Sequence, residues 1–310
     1  MLNIYKTTNG ILKQIDEIQK GAWINLTDPT ESELNLLHEK LEIDLDFLKA
    51  PLDDEESSRI ETENGQVFIL LDIPITEEED GSQIYYTLPL GIIIAGKNII
   101  TICLKENTVI NQFLEKKVKS FYTFKKTRFL LQILFRISAR YLVYLKQIDK
   151  MSNRIEKELH KSMKNKELIQ LLDLEKSLVY FSTSLKANEM VLEKMLKNQA
   201  VKLYPEDEEL LQDVIIENKQ AIEMASIYSN ILSGMMDAFA SVISNNVNIV
   251  MKFLASITIV MSIPTMIASF YGMNVGLPLQ DTPYAFLLVV GLSVILSVLT
   301  VVILAKKRMF

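Results

Sequence analysis

Two long runs without an ionisable side chain other than tyrosine close the chain, Phe253 to Gln280 and Thr282 to Ala305, with Asp281 the only charge between them. Either run is long enough to cross a bilayer, because a spanning helix needs roughly 20 apolar residues at about 1.5 Å each. The tail therefore reads as a helical membrane hairpin. Two buried helices of a soluble core fit less well, since core helices are usually shorter and interrupted by polar faces. Lys252 precedes the hairpin and Lys306, Lys307 and Arg308 follow it, whereas its loop carries only Asp281. By the positive-inside rule both termini face the cytoplasm and the loop faces out, which makes this a multi-pass protein of the cell membrane. The first twenty residues mix Lys6, Lys13, Asp16 and Glu17 with no apolar segment, so no secretory signal is expected.

The formal net charge of -6 over 310 residues argues against a nucleic-acid partner, which would want a basic face. An acidic aqueous part joined to a membrane hairpin suits cations better. Cys103 is the only cysteine and lies in an apolar, strand-like run, so it reads as a small buried hydrophobe. His38 and His160 are isolated, without ligand-spaced partners, and read as surface or packing residues. No phosphate loop, Gly-rich dinucleotide fingerprint or nucleophile elbow occurs, and nothing points to an enzyme.

Along the chain, Trp23 to Leu26, Val67 to Ile73, Leu88 to Ala95 and Ile99 to Leu104 have the length and composition of strands. Thr30-Glu31-Ser32-Glu33 has the spacing of a capping box and opens a helix through Leu34, Leu37 and Leu41. Gly96-Lys97-Asn98 reads as a hairpin turn. From Glu115 to Gln199 there is no Gly and no Pro, which predicts long antiparallel helices with a break near Ser162 to Asn165. Pro205 followed by Glu206-Asp207-Glu208-Glu209 marks a helix start, and no proline recurs before Pro264. One helix running to about Tyr271 would be roughly 100 Å long. The fold class expected is an α+β cytoplasmic domain, a long α-helical stalk and two C-terminal transmembrane helices. The division is 1–110 for the α/β domain and 111–204 for the antiparallel helices. The stalk and first span take 205–273, the outer loop 274–282, the second span 283–305 and the basic tail 306–310.

Two acidic clusters, Asp53-Asp54-Glu55-Glu56 and Glu77-Glu78-Glu79-Asp80, fit two readings. They are solvated loop surface, or they are low-affinity divalent-cation sites, since hard cations prefer carboxylate oxygens.

Alternate spacings of three and four pick out Gly234, Asp237, Ser241, Ser244, Asn248, Met251, Ala255, Thr258, Ser262, Thr265, Ser269 and Gly272. In a coiled coil this stripe would be the apolar seam. Here it is mostly small or hydroxylated, and the intervening positions carry Phe253, Leu254, Ile257, Ile259, Ile263 and Ile267. Polar groups in lipid turn toward protein or water, so the stripe faces the interior of an assembly. Tight helix packing and a water-filled path both use such a stripe. The continuation below the membrane through Asn248, Ser244 and Ser241 to Asp237 favours the path, and two spans per chain then require several chains around an axis. Hydroxyls and amides without full charge suit a hydrated divalent ion, because magnesium gives up its waters reluctantly. Met251 and Leu254 would narrow the inner end, and a divalent ion crossing 100 mV gains roughly twice 2.3 kcal/mol.

Tyr271-Gly272-Met273-Asn274 closing the first span resembles the signature of the CorA family of metal-ion transporters. Ser244-Asn245-Asn246-Val247-Asn248-Ile249-Val250-Met251-Lys252 before it, and the basic end Lys306-Lys307-Arg308 of the second span, extend the likeness. Phe47-Leu48, Asp53-Asp54 and Arg59-Ile60-Glu61 carry it into the N-terminal domain. The resemblance implies a homopentameric, channel-like transporter shaped as an oligomeric funnel, with magnesium, or cobalt, as cargo and magnesium as regulator. It implies a selectivity filter at Gly272, Met273 and Asn274. It implies a pore lined by Asn248, Met251, Leu254, Ala255, Thr258, Ser262, Thr265 and Ser269. Regulatory metal would meet Asp213, with partners near Glu77, Glu78, Glu79 and Asp80, and Asp237 matches a further stalk aspartate. Two departures leave the ion open. Val275-Gly276-Leu277-Pro278-Leu279-Gln280 lacks the acids that often follow the motif, and Ser262 stands where a methionine is usual. A zinc, nickel or cobalt transporter of the same family is the alternative, and a membrane-anchored coiled-coil scaffold the more distant one.

Overall fold

The computed structural model describes residues 1–310 apart from 80–81, 163–164, 199–200, 202–203, 279–281 and 308–310, with the backbone alone at 79, 82, 161–162 and 198. Short β-branched and aromatic runs in the first hundred residues pair into one sheet: β1 (Leu2–Thr8), β2 (Ile11–Ile15), β3 (Trp23–Thr27), β4 (Arg59–Glu63), β5 (Gln66–Glu79), β6 (Ser82–Ala95) and β7 (Asn98–Cys103). Their order across the sheet is β2-β1-β3-β7-β6-β5-β4. Neighbours are antiparallel except β3 and β7, which run parallel with Trp23 opposite Ile99. Helices follow as α1 (Glu31–Leu41), α2 (Leu45–Lys49), α3 (Thr108–Leu114), α4 (Lys126–Ser162), α5 (Asn165–Asn198), α6 (Pro205–Tyr271) and α7 (Ala285–Lys306).

The capping box at Thr30 is present: the Thr30 amide donates to Glu33 Oε2 at 2.9 Å, and the Glu33 amide donates to Thr30 Oγ1 at 3.4 Å. α1 and α2 bring Leu34, Leu37, Phe47 and Leu48 onto the sheet face that holds Ile24, Leu26, Phe68 and Ile100. Gly91 permits this approach, because a Cβ there would stand 2.1 Å from Pro51 Cγ. On the other face Trp23 is fully buried among Phe113, Phe121 and Phe129, with ring centroids 5.1 to 6.4 Å away. Its indole N–H donates to Thr101 Oγ1 at 2.8 Å, as a buried Trp requires.

Three strands depart from the expected set. β1, β2 and β4 are edge or near-edge strands with mixed, polar sequences, so their pairing rather than their composition defines them. β5 and β6 also run further than expected, and Glu77, Glu78 and Glu79 of the acidic cluster lie within β5, with Glu78 opposite Gln83. Residues 115–125, expected as helix, are turns and bends instead, with left-handed backbone at Lys116 (φ 58°) and Ser120 (φ 56°).

α5 is fastened to the open edge of β5. β4 ends with Arg59 opposite Leu70, which leaves Asp72 beyond its reach. The Asn188 carboxamide takes the place of the missing strand: its Oδ1 accepts from the Asp72 amide at 2.9 Å and its Nδ2 donates to the Asp72 carbonyl at 2.8 Å. Tyr141 also donates to that carbonyl at 3.1 Å. Burial raises the pKa of the Asp72 carboxyl above the usual carboxylate range, against a lowering hydrogen bond from Ser184.

The chain divides into two compact units, 1–234 and 235–310. In the first, α6 buries Asp207, Leu211, Val214, Asn218, Ala221, Ala225 and Leu232, a three-and-four spacing that forms one seam. Asn218 Nδ2 on that seam donates to the Leu185 carbonyl at 3.1 Å.

A carboxyl with a raised folded pKa binds its proton more tightly in the folded chain than in the unfolded one. Its cost is therefore full above the folded value and relieved as pH falls toward the unfolded value of about 3.9. Asp72→Asn keeps an acceptor for Ser184 and removes the charge. The variant should melt at higher temperature than the parent at pH 8, with the gap closing as pH is lowered toward 4, followed by thermal denaturation of the full-length protein in detergent.

Candidate functional site

In the second unit α6 has two unlike sides. Ser256 is fully buried, and Val260, Ile263, Pro264 and Ile267 are half-buried. With Val290, Ser293, Val294 and Ser297 of α7, the residues Val260, Pro264 and Ile267 line an apolar crevice between the two helices. At 3.6 residues per turn, Ala255, Thr258, Ser262, Thr265 and Ser269 lie roughly half a turn away from that side. All five are exposed, as are Asn248, Met251 and Leu254. An open groove along α6 follows Ile257, Thr258, Met261, Ser262, Thr265 and Ser269. Within one chain, nothing among the described residues covers this line.

The hydroxyls of the line are not idle. Thr258 Oγ1 donates to the Leu254 carbonyl at 2.9 Å, Thr265 Oγ1 to Met261 at 3.0 Å, and Ser262 Oγ to Ile259 at 2.8 Å. Below them Ser241 Oγ donates to the Asp237 carbonyl at 3.0 Å. These four hydroxyl protons are thus committed to the helix's own backbone, which leaves lone pairs as their outward chemistry. A row of acceptors is what the outward-pointing hydrogens of a cation's water shell can bind. Pro264 interrupts the α6 ladder in this stretch, because it has no N–H for the Val260 carbonyl. The bond from Ser262 there spans three residues instead of four.

Gly272, Met273 and Asn274 follow the last turn of α6. The Gly272 amide still donates to Ala268 O at 2.9 Å, and the Met273 amide bonds Phe270 O at 3.3 Å. A Cβ on Gly272 would come within 3.3 Å of that Ala268 oxygen, so the residue keeps the exit tight. Asn274 is exposed beyond the helix end.

The acidic residues sort differently. Glu77 on β5 is held by Lys105 Nζ at 2.7 Å, and the same ammonium donates to Tyr86 Oη at 3.1 Å. Hydrogen bonds from Lys105 and then Tyr86 lower the Glu77 pKa, and Glu77 raises that of Lys105. Sequence reading missed Lys105 because it lies 28 residues from Glu77 and is brought there by the pairing of β5, β6 and β7. Glu78 points from the opposite side of the strand and borders a cleft with Gln83, Tyr85 and Arg154. The Glu79 side chain and Asp80 lie outside the described residues. Asp213 and Asp237 are both exposed on α6, Asp213 next to the buried Val214. In the first cluster Asp53 Oδ1 accepts from the Glu55 amide at 3.1 Å, and Glu56 pairs with Arg59. Among the described residues no three Asp, Glu, His or Cys side chains gather into a group able to hold a metal within one chain.

Among the described residues, α6 and α7 are the two helices long and apolar enough to cross a membrane. Residues 19–308 match the family model described as CorA-like Mg2+ transporter protein. The cobalt/magnesium transport protein CorA of Methanocaldococcus jannaschii is 29% identical over 316 residues, covering 99% of this chain and 98% of that protein. The magnesium transport protein CorA of Campylobacter jejuni is 24% identical over 330 residues, covering 99% of each. The complete structure of the CorA magnesium transporter from Methanocaldococcus jannaschii superposes with a TM-score of 0.84 at 28% identity, covering 98% of this chain and 96% of that one. The chain belongs to the CorA-like Mg2+ transporter family, and is a membrane transporter of divalent metal ions, not an enzyme.

Proposed function

We propose that the chain is one subunit of a homopentamer that admits magnesium, with cobalt as a second cargo, down its electrochemical gradient. Both termini face the cytoplasm. The observation that carries this reading is the exposed row of oxygens on α6, half a turn from α7, with the hydroxyl protons of Thr258, Ser262 and Thr265 already bonded to backbone. Five such helices around an axis would turn α7 outward to lipid and the acceptors inward. Neutral oxygens would bind the hydration shell without trapping the ion. Asn274 would supply a ring of amides at the outer mouth, and Met251 and Leu254 an apolar constriction at the inner end that closes by dewetting.

Regulation in this reading belongs to the first unit. One chain gathers no metal-holding group among its described residues, so a regulatory ion would sit between chains, near Asp213 on one subunit and the strand from Glu77 on the next, with Asp237 a further stalk aspartate outside this unit. Such an ion would keep most of its own water. Its loss at low internal magnesium would leave like charges facing each other and loosen the ring. The Lys105 contact supports a tuning role, since it competes for Glu77.

Metal-resolved flux through the full-length protein in liposomes tests the reading. Asn274→Ala should reduce magnesium uptake at least about tenfold, equivalent to ~1.4 kcal/mol of barrier, and uptake at the parent rate would remove Asn274 from the mechanism. Asp213→Ala should raise the internal magnesium concentration needed for half-inhibition, and an unchanged value would remove Asp213 from regulation. Lys105→Ala should lower that concentration by releasing Glu77 as a ligand, read from the same flux curves.

A further inference from the structure

In a chain of net charge -6, residues 115–128 concentrate Lys116, Lys117, Lys119, Lys125, Lys126 and Arg128. Two cavities open along this segment. The first is lined by Lys125, Lys126 and Arg128 but also by Glu206 and Asp207, and Arg128 lies 3.8 Å from each of these acids. Its charge is answered within the chain. The second, of about 330 Å³, is bounded by Lys117, Lys119, Gln132, Phe135, Arg136 and Leu210, and no carboxylate lines it. Glu115 meets Lys117 at 2.6 Å, with both side chains largely exposed.

Arg136 is the unusual member. Arg59, Arg128 and Arg140, the other half-buried arginines among the described residues, have matched surroundings: Glu56 and Glu61 for Arg59, Glu206 and Asp207 for Arg128, and the Tyr144 ring under Arg140. Arg136 is half-buried on α4, yet among the described residues it has no ion-pair, hydrogen-bond or ring partner. The same holds for Gln132, one turn away, and for Lys119 across the cavity. A guanidinium presents five donors in a planar fork, and removing it from water without an acceptor is costly. That fork and two ammonium groups match the oxygens of a phosphate. Left-handed backbone at Lys116 and Ser120 brackets the two lysines, a conformation that non-glycine residues keep only where their surroundings enforce it.

We propose that this cavity is a binding site for a small phosphate monoester, with Lys117, Lys119, Gln132 and Arg136 on the phosphate and the body of the ligand against Phe135. The cavity is larger than a bare phosphate needs, and Val118, Phe135 and Leu210 give it an apolar wall. Full-length protein in detergent, free of metal, is titrated by calorimetry with adenosine monophosphate and with inorganic phosphate. The monoester should bind saturably, and more tightly than phosphate alone. Arg136→Gln and Lys119→Gln should each weaken it at least about tenfold, with oligomer size by light scattering unchanged. Lys119 is exposed, so its substitution keeps the test open if Arg136→Gln fails to fold. Absence of saturable binding, or unchanged binding in Lys119→Gln, overturns the proposal. So does loss of the oligomer in Arg136→Gln without phosphate binding in the parent, which would assign the cavity to a carboxylate from a second copy.

Discussion

Hydrocarbon offers a chain no hydrogen-bond partner, and the second unit of this protein is arranged around that fact. Backbone amides in a bilayer must be satisfied internally, which makes helices of α6 and α7. Side-chain hydroxyls face the same requirement. Thr258, Ser262 and Thr265 meet it by donating to carbonyls of the preceding turn, so each lies flat on its own helix. The result is a surface polar enough to attract water yet without a single formal charge. The apolar bulk is sent to the other side, where Val260, Pro264 and Ile267 face α7.

Features carried by local rules were readable from the residues. The capping box at Thr30 and the proline start of α6 at Pro205 depend only on the first turn of a helix. β3, β6 and β7 are apolar because the sheet buries them on both faces, and their composition says so. β1, β2 and β4 lack that mark, since an edge strand is half solvated and its partner supplies the order. Residues 115–125 mislead for another reason. They contain neither Gly nor Pro, and the chain turns there through left-handed Lys116 and Ser120, positions where helical propensity is overridden by the packing of Phe121 against Trp23 and Phe129.

For the candidate site, spacing alone picked out the row from Asn248 to Ser269, because a helix converts period directly into a side. Which side α7 covers is a tertiary fact and was not legible. The same limit hid the Lys105 contact with Glu77, which exists only through strand register, and the pocket around Arg136, whose wall includes Leu210 from α6.

The single parallel pairing in the sheet has a consequence for how the chain is made. β3 can find β7 only after residues 98–103 exist, and until then the hairpin of β1 and β2 with β3 has no neighbour on its inner side. Closing so long a loop is slow, because entropy is lost before any contact is gained. The N-terminal ribbon therefore keeps one edge unpaired until β7 has been made, and the β3–β7 seam alone joins it to the rest of the sheet.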